Sequence, residues 1–285
     1  MSGQSQEGWK MRYASHLGLR SAKDPTFANT AGSPDPIEQI RYAASIGFAG
    51  VEDNSAKTRP AEMQERMGAE LARLGLEMGC FVNNPTRWNQ PLWGRPDAEA
   101  RDLLAEDING SIETAKRLNG RVATVVSGRD PAIPLALQLA NMVENLKRFG
   151  EVAARAGLTL AVETVDNERW PGMLLNHIAD AYAVVRAVDN PAVMLLFDVG
   201  HVQAMDGQIL DNLARTWDRI AVIQAADIPS RFELGSGELN WTNILRFIRD
   251  RGYAGLVELE HVNSKPGIEG ERVMMDRLRM IEAAI

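Results

Sequence analysis

Residues 135–163 read LALQLANMVENLKRFGEVAARAGLTLAVE, a helix and a strand written end to end. As far as residue 157 the apolar residues return every three or four positions, the period of a helix with one buried face. Gly157 stops that pattern, as a helix C-terminus prefers, because glycine enters the left-handed conformation there at no steric cost. A short apolar run follows and ends on Glu163.

The same unit repeats in both directions. Runs rich in Val, Ile and Leu at 12–16, 50–53, 77–82, 122–126, 159–163, 193–198, 220–227 and 255–260 are predicted strands. Helical stretches separate them, most plainly IEQIRYAASIG and AEMQERMGAELARLG, and Gly47, Gly75 and Gly252 end helices as Gly157 does. Such alternation without a polar linker predicts one parallel sheet. Eight units in 285 residues predict a closed α/β barrel, the (β/α)₈ or TIM barrel, typically of about 250 residues. One domain is expected over 11–285. The polar start MSGQSQEGWK, residues 1–10, lacks the apolar stretch of a signal peptide and is expected to be a disordered lead-in.

Composition excludes several functions. No run reaches the roughly 18 apolar residues of a membrane span. With 31 basic residues against 38 acidic, net charge −7, the chain lacks the basic surplus that nucleic acid demands. The single cysteine, Cys80, forbids an internal disulfide and fits a reducing cytoplasm.

Two connections are longer than a barrel needs. Residues 83–97 carry Trp88, Trp93 and three prolines, and residues 229–241 carry Arg231, Glu233 and several small turn formers. Both follow strands, so both belong to the C-terminal face, where such barrels keep their active sites.

Glu163, Asp198, Gln224 and Glu260 stand at or near the ends of four successive late strands, 35, 26 and 36 residues apart. In a closed barrel these positions converge on one mouth. Three carboxylates and an amide oxygen make a hard, oxygen-rich site suited to Mg²⁺ or Mn²⁺. Without a cation the carboxylates would repel one another. Singly, each also reads as a helix cap or an ion-pair partner. His201, three residues after Asp198, is placed to bond substrate or to stabilise a developing oxyanion. Of the other histidines, His16 ends the first strand at the mouth, His177 starts a helix, and His261 alternates away from the barrel interior. Glu258 shares a face with Glu260 one layer deeper, either as a rival ligand or as support for one.

The pieces FDVGHVQAMDG, IQAADIPSRFELGSGELNW and GYAGLVELEH together resemble the hydroxypyruvate isomerase family of xylose isomerase-like barrels. The shared features are an Asp-x-x-His-x-Gln-x-x-Asp-Gly run, a Gln ending strand seven, an Asp-x-Pro-x-Arg turn and a Gly-Glu-x-Asn segment. The resemblance is specific over the last 125 residues or so and architectural before them. It implies that Glu163, Asp198, Gln224 and Glu260 ligate a divalent metal, and that Glu163 and Glu260 are the proton-transfer pair. His201 and Arg231 are implied as substrate contacts, the guanidinium being apt for a carboxylate. Arg129, His16 and Trp88 are further candidates to line the substrate site. A homo-oligomer, dimer or tetramer, is a family-level expectation. The chain departs from the pattern at Phe232, Leu234 and Glu258 and in its Trp-rich loop. Phe232, Trp88 and Trp93 either enlarge the pocket or pack within their loops.

The activity so implied is metal-assisted isomerisation of a small hydroxy-carbonyl compound, hydroxypyruvate or a related keto-acid, through an enediolate. Rivals on the same scaffold are a ketose 3-epimerase or sugar isomerase, a lyase or dehydratase, and a catalytically silent binding protein. A DNA-repair endonuclease would require more metal-ligating histidines and a basic groove, and four histidines at net charge −7 argue against it.

Overall fold

A computed structural model describes residues 8–19 and 21–285. Its strands are β1 (Tyr13–His16), β2 (Gly50–Glu52), β3 (Glu77–Met78), β4 (Phe81–Val82), β5 (Val122–Val125), β6 (Thr159–Glu163), β7 (Val193–Asp198), β8 (Ile220–Gln224) and β9 (Val257–Leu259). All pairings are parallel, in the order β3-β2-β1-β9-β8-β7-β6-β5-β4. The two ends of that order, β3 and β4, are consecutive in the chain with only Gly79 and Cys80 between them. They are halves of one barrel strand, the first paired with β2 and the second with β5, and the sheet closes there.

The helices are α1 (Pro36–Ser45), α2 (Ala61–Leu74), α3 (Ala98–Leu118), α4 (Leu135–Arg155), α5 (Ile178–Val188), α6 (Val199–Met205), α7 (Ile209–Thr216), α8 (Trp241–Asp250) and α9 (Gly267–Ala284). Local chemistry sets their ends. The Asp35 and Asp97 side chains accept first-turn backbone N–H groups of α1 and α3, and α2 stops at Gly75 with φ +68°. Among the described residues no helix is long and apolar enough to cross a membrane.

The barrel is packed on both faces. Between sheet and helices runs one large apolar cluster that includes Leu104, Phe149 and Leu245. Inside, Cys80, Ala161, Leu196 and Val222 form a separate small cluster. Side chains alternate along a strand, so Ala161, Leu196 and Val222 lie one layer below Glu163, Asp198 and Gln224. That apolar floor lifts the polar ends toward the mouth. Below Glu260 the corresponding residue is Glu258, and the floor is polar there.

Of the expected lead-in, residues 1–7 lie outside the described residues. Trp9 and Lys10 do not behave as disordered chain. Trp9 Nε1 donates to Ile46 O at 2.8 Å, its ring meets Tyr13 and Phe48 edge-on, and the Lys10 N–H donates to Glu282 at 3.0 Å. An indole has enough apolar surface to dock even from a polar context, so the ordered body begins before residue 11.

Candidate active site

Glu163 ends β6, Asp198 ends β7, Gln224 ends β8, and Glu260 follows β9 by one residue. Asp198 lies in register with Gln224, and Gln224 with Glu258. The mouth above them opens into a cavity of about 490 Å³, with Glu163, His201, Arg231 and Glu260 in its wall. Trp88, Trp170 and Arg169 line it as well, together with valine and proline side chains.

Asp198 serves two purposes at once. Its Oδ1 accepts the His201 backbone N–H at 2.9 Å and caps α6, the plain role a strand-end Asp often has. Both its oxygens also meet Arg231, Nη2 to Oδ2 at 2.5 Å and Nη1 to Oδ1 at 3.2 Å. Nη2 of Arg231 bonds Glu260 too, so one guanidinium ties two of the carboxylates together. Gly200 makes room for it: a Cβ there would sit 3.1 Å from Arg231 Nη1.

The loop that delivers Arg231 is folded around Asp227. That carboxylate accepts backbone N–H groups from Ile228, Gly235 and Leu239 at 2.9–3.2 Å, and the Asp227 N–H donates to Phe232 O. This is the physical content of the Asp-x-Pro-x-Arg turn. The predicted strand 220–227 therefore ends early, at Gln224, because Asp227 turns the chain back on itself.

His201 is aimed by Asp166. Nδ1 lies 3.0 Å from Asp166 Oδ2 and 3.3 Å from the Asp166 backbone N–H. The shorter contact is charge-assisted and requires Nδ1 to donate, which turns Nε2 toward Glu163 at 3.8 Å and Asp198 at 3.9 Å. Trp170 packs edge-on against the ring. Glu260 Oε1 accepts from Asn54 Nδ2 at 2.8 Å.

Burial raises Glu163 well above the ordinary carboxylate range, and the charges of Glu260 and Asp198 add to the rise. Burial also raises Glu260, against the pull of Arg231. Asp198 is pushed up by burial, yet Arg231 and His201 outweigh that and hold it below its usual value. One carboxylate is thus firmly ionised while its two neighbours resist ionisation, as expected where negative charge is crowded with too little positive charge.

The donor set fits a hard divalent ion. Oxygens of Glu163 and Asp198 and a nitrogen of His201 lie within 4.8 Å of one another. Gln224 Oε1 is buried without a partner, as an unfilled ligand position would be. His201 therefore stands nearer this group than its sequence reading implied, whereas the side-chain contacts of Gln224 are with Glu52, Cys80 and Glu258.

Other expected residues lie elsewhere. Arg129 is exposed on the loop after β5 and is absent from the cavity wall. His16 is buried, with Nε2 3.0 Å from His261 O, and does not line the cavity. Burial lowers it to about 4, so it is neutral. His261 is itself buried, and burial lowers it to about 3. His177 is the N-cap of α5, as expected. The two tryptophans of the long loop divide: Trp88 faces the cavity, while Trp93 is fully buried against Phe149. The sequence reading missed Asn54, Asp166, Arg169 and Trp170. The last three sit in VETVDNERW, a polar loop directly after β6 whose position on the C-terminal face was the available signal.

The family profile described as xylose isomerase-like TIM barrel matches residues 40–284. A 2-oxo-tetronate isomerase of Cupriavidus necator is 29% identical over 235 residues, 79% of this chain and 86% of that protein. The hydroxypyruvate isomerase of Escherichia coli is 26% identical over 232 residues, 81% of this chain and 89% of that protein. The crystal structure of a family 2 AP endonuclease from Brucella melitensis superposes with a TM-score of 0.79 at 23% identity, covering 93% of this chain and 98% of that one, and so shares the fold. The chain belongs to the xylose isomerase-like TIM barrel family and, within it, to the isomerases related to hydroxypyruvate isomerase.

Proposed function

We propose that the protein isomerises a small hydroxy-keto acid, of the hydroxypyruvate or oxo-tetronate class, with a divalent metal ion at the barrel mouth. The observation that carries this reading is the gathering of Glu163, Asp198 and His201 within 4.8 Å of one another, tied to Glu260 through Arg231, at a cavity that Glu163, His201 and Glu260 line. Glu163, Asp198, Gln224 and Glu260 would hold the ion, Mg²⁺ or Mn²⁺. Bound there, it supplies positive charge to substrate oxygens that gain negative charge as a proton leaves the adjacent carbon.

The chain's own groups do the rest. Glu163 and Glu260 reach the cavity from β6 and β9, with β7 and β8 between them, so substrate lies between two carboxylates. One removes the proton; return by the same group to the neighbouring carbon gives aldose–ketose isomerisation. His201, steadied by Asp166, presents Nε2 to the substrate oxygens. Arg231 is engaged with Asp198 and Glu260. Arg169 is exposed, lies over Trp170 and bonds the carbonyl of Pro229, which keeps its guanidinium at the cavity rim. We assign it to the substrate carboxylate.

A second reading, epimerisation of a ketose, is favoured by the size and lining of the cavity. At about 490 Å³, with Trp88 and Trp170 in its wall, it exceeds the needs of a three-carbon acid. Delivery of the proton by the opposite glutamate to the same carbon would then invert it.

The test is turnover of hydroxypyruvate, tartronate semialdehyde, oxo-tetronates and free ketoses by metal-stripped protein, before and after Mg²⁺ or Mn²⁺. Metal-restored conversion of a keto-acid supports the first reading. Conversion of neutral ketoses alone transfers the assignment to the second.

A further inference from the structure

Below the mouth lies a second polar cluster that the proposed chemistry does not use. Glu52 ends β2, Cys80 sits in the gap between β3 and β4, and Glu258 lies in β9, all of them 0–1% exposed. Glu258 accepts twice from the strand break: Oε1 from the Cys80 backbone N–H at 2.8 Å, and Oε2 from the Cys80 thiol at 2.9 Å. Gly79 is what admits it, since a Cβ there would lie 2.3 Å from Glu258 Oε1.

Glu52 and Glu258 also hydrogen-bond to one another, which engages a carboxyl proton between them, and Cys80 Sγ lies 4.0 Å from Glu52 Oε2; a further contact points upward. Gln224 Nε2 donates toward Glu52 Oε2 at 3.1 Å, Cys80 Sγ at 3.3 Å and Glu258 Oε2 at 3.3 Å. Every group on that side can accept, and a side-chain amide has one accepting and one donating branch. The nitrogen is therefore drawn down into the cluster and the oxygen is left on the other branch, buried and without a partner. Flipping the amide would set its oxygen against two carboxyl groups and strand its nitrogen.

We infer that Glu258, with Glu52 and Cys80, is a positioning group whose task is to fix the amide of Gln224 so that Oε1 faces the metal site. The inference rests on the metal reading given above. It assigns Glu258 to the support of a ligand rather than to ligation, and it explains why a carboxylate replaces the apolar residue found at the same depth below Glu163, Asp198 and Gln224. Groups that orient metal ligands typically alter metal affinity by about 10–100-fold when removed.

The experiment is titration of Mn²⁺ into metal-stripped protein, with free ion counted by electron paramagnetic resonance. The variants are Asp198→Asn, Gln224→Ala, Glu258→Ala, Glu258→Asp and the pair Gln224→Ala with Glu258→Ala. Wild type is expected to bind and Asp198→Asn to bind much more weakly. Glu258→Ala is expected to lose about 10-fold or more in affinity. Glu258→Asp, which keeps the carboxyl group but withdraws the acceptor by one methylene, is expected to lose in the same direction. It also carries the test should the alanine variant fail to fold. In the double variant the loss should equal that of Gln224→Ala alone, because Glu258 acts through that amide. Wild-type affinity in Glu258→Asp, or additive losses in the double variant, would overturn the inference and leave the metal site standing. Absence of Mn²⁺ binding by wild type, or unchanged binding in Asp198→Asn, would instead overturn the metal reading itself.

Discussion

Arg231 and Asp198 face each other as a two-pronged pair, Nη2 to Oδ2 at 2.5 Å and Nη1 to Oδ1 at 3.2 Å, both side chains 8% exposed or less. The same guanidinium reaches Glu260. A monovalent cation already sits where three carboxylates crowd together.

Removing that cation should destabilise the metal-free protein most. Breaking one side of a buried ion pair costs about 3–5 kcal/mol, because the stranded charge stays buried. Arg231→Gln is expected to lose stability of that order in urea unfolding without metal. Saturating Mn²⁺ should recover much of the loss by neutralising the same carboxylates. An equal loss with and without Mn²⁺ would mean that Arg231 and the ion do not share a site.

Asp166 touches His201 and lies outside the set of expected ligands. Asp166→Asn leaves the shape intact but lets Nδ1 accept a hydrogen bond from the amide N–H, which reverses the ring's donor pattern. The expected result is a fall in kcat of about 10–100-fold with KM little changed. A change confined to KM would contradict the assignment.

The long loop's two tryptophans should separate cleanly. Trp93 is fully buried, so Trp93→Ala is expected to cost about 3–5 kcal/mol in chemical unfolding. Trp88 lines the cavity, and Trp88→Ala should leave stability within about 1 kcal/mol while changing the ratio of kcat/KM between three-carbon and longer substrates. Equal stability losses would make the loop a packing element alone.

His16 and His261 fold neutral, held at about 4 and about 3 by burial. Unfolded histidine takes up its proton near 6.5, so between those values the unfolded chain binds more protons than the folded one. Stability is then full above pH 6.5 and falls as the pH drops toward 4. Each such histidine contributes a slope of about 1.4 kcal/mol per pH unit within that window. His16→Gln should flatten the dependence by about one proton's share in urea midpoints taken from pH 7 to pH 5. Parallel profiles for variant and wild type would contradict it.

The barrel was legible because its units repeat one rule. A period of three to four residues, a glycine stop and a short apolar run place a helix and a strand without tertiary information, and Gly75 and Gly157 do adopt positive φ. Strand spacing also gave the convergence of Glu163, Asp198 and Glu260, since register in a closed sheet follows from connectivity. What stayed hidden depends on loops. Arg231 looked free for a substrate carboxylate, yet the Asp227 turn folds it inward onto Asp198. Arg169 and Asp166 reach the site from a loop whose path no periodicity encodes. Trp88 and Trp93, five residues apart in one segment, have opposite surroundings for the same reason.

The central claim is that Glu163 and Glu260 move a carbon-bound proton at a metal-assisted site. The most direct test is proton NMR of hydroxypyruvate turnover in D₂O by the Mg²⁺-loaded protein, beside Glu163→Gln and Glu260→Gln. Deuterium is expected at the carbon next to the carbonyl in product or recovered substrate, with exchange abolished in at least one glutamine variant and absent from metal-stripped protein. Conversion or exchange undiminished in both glutamine variants would contradict it.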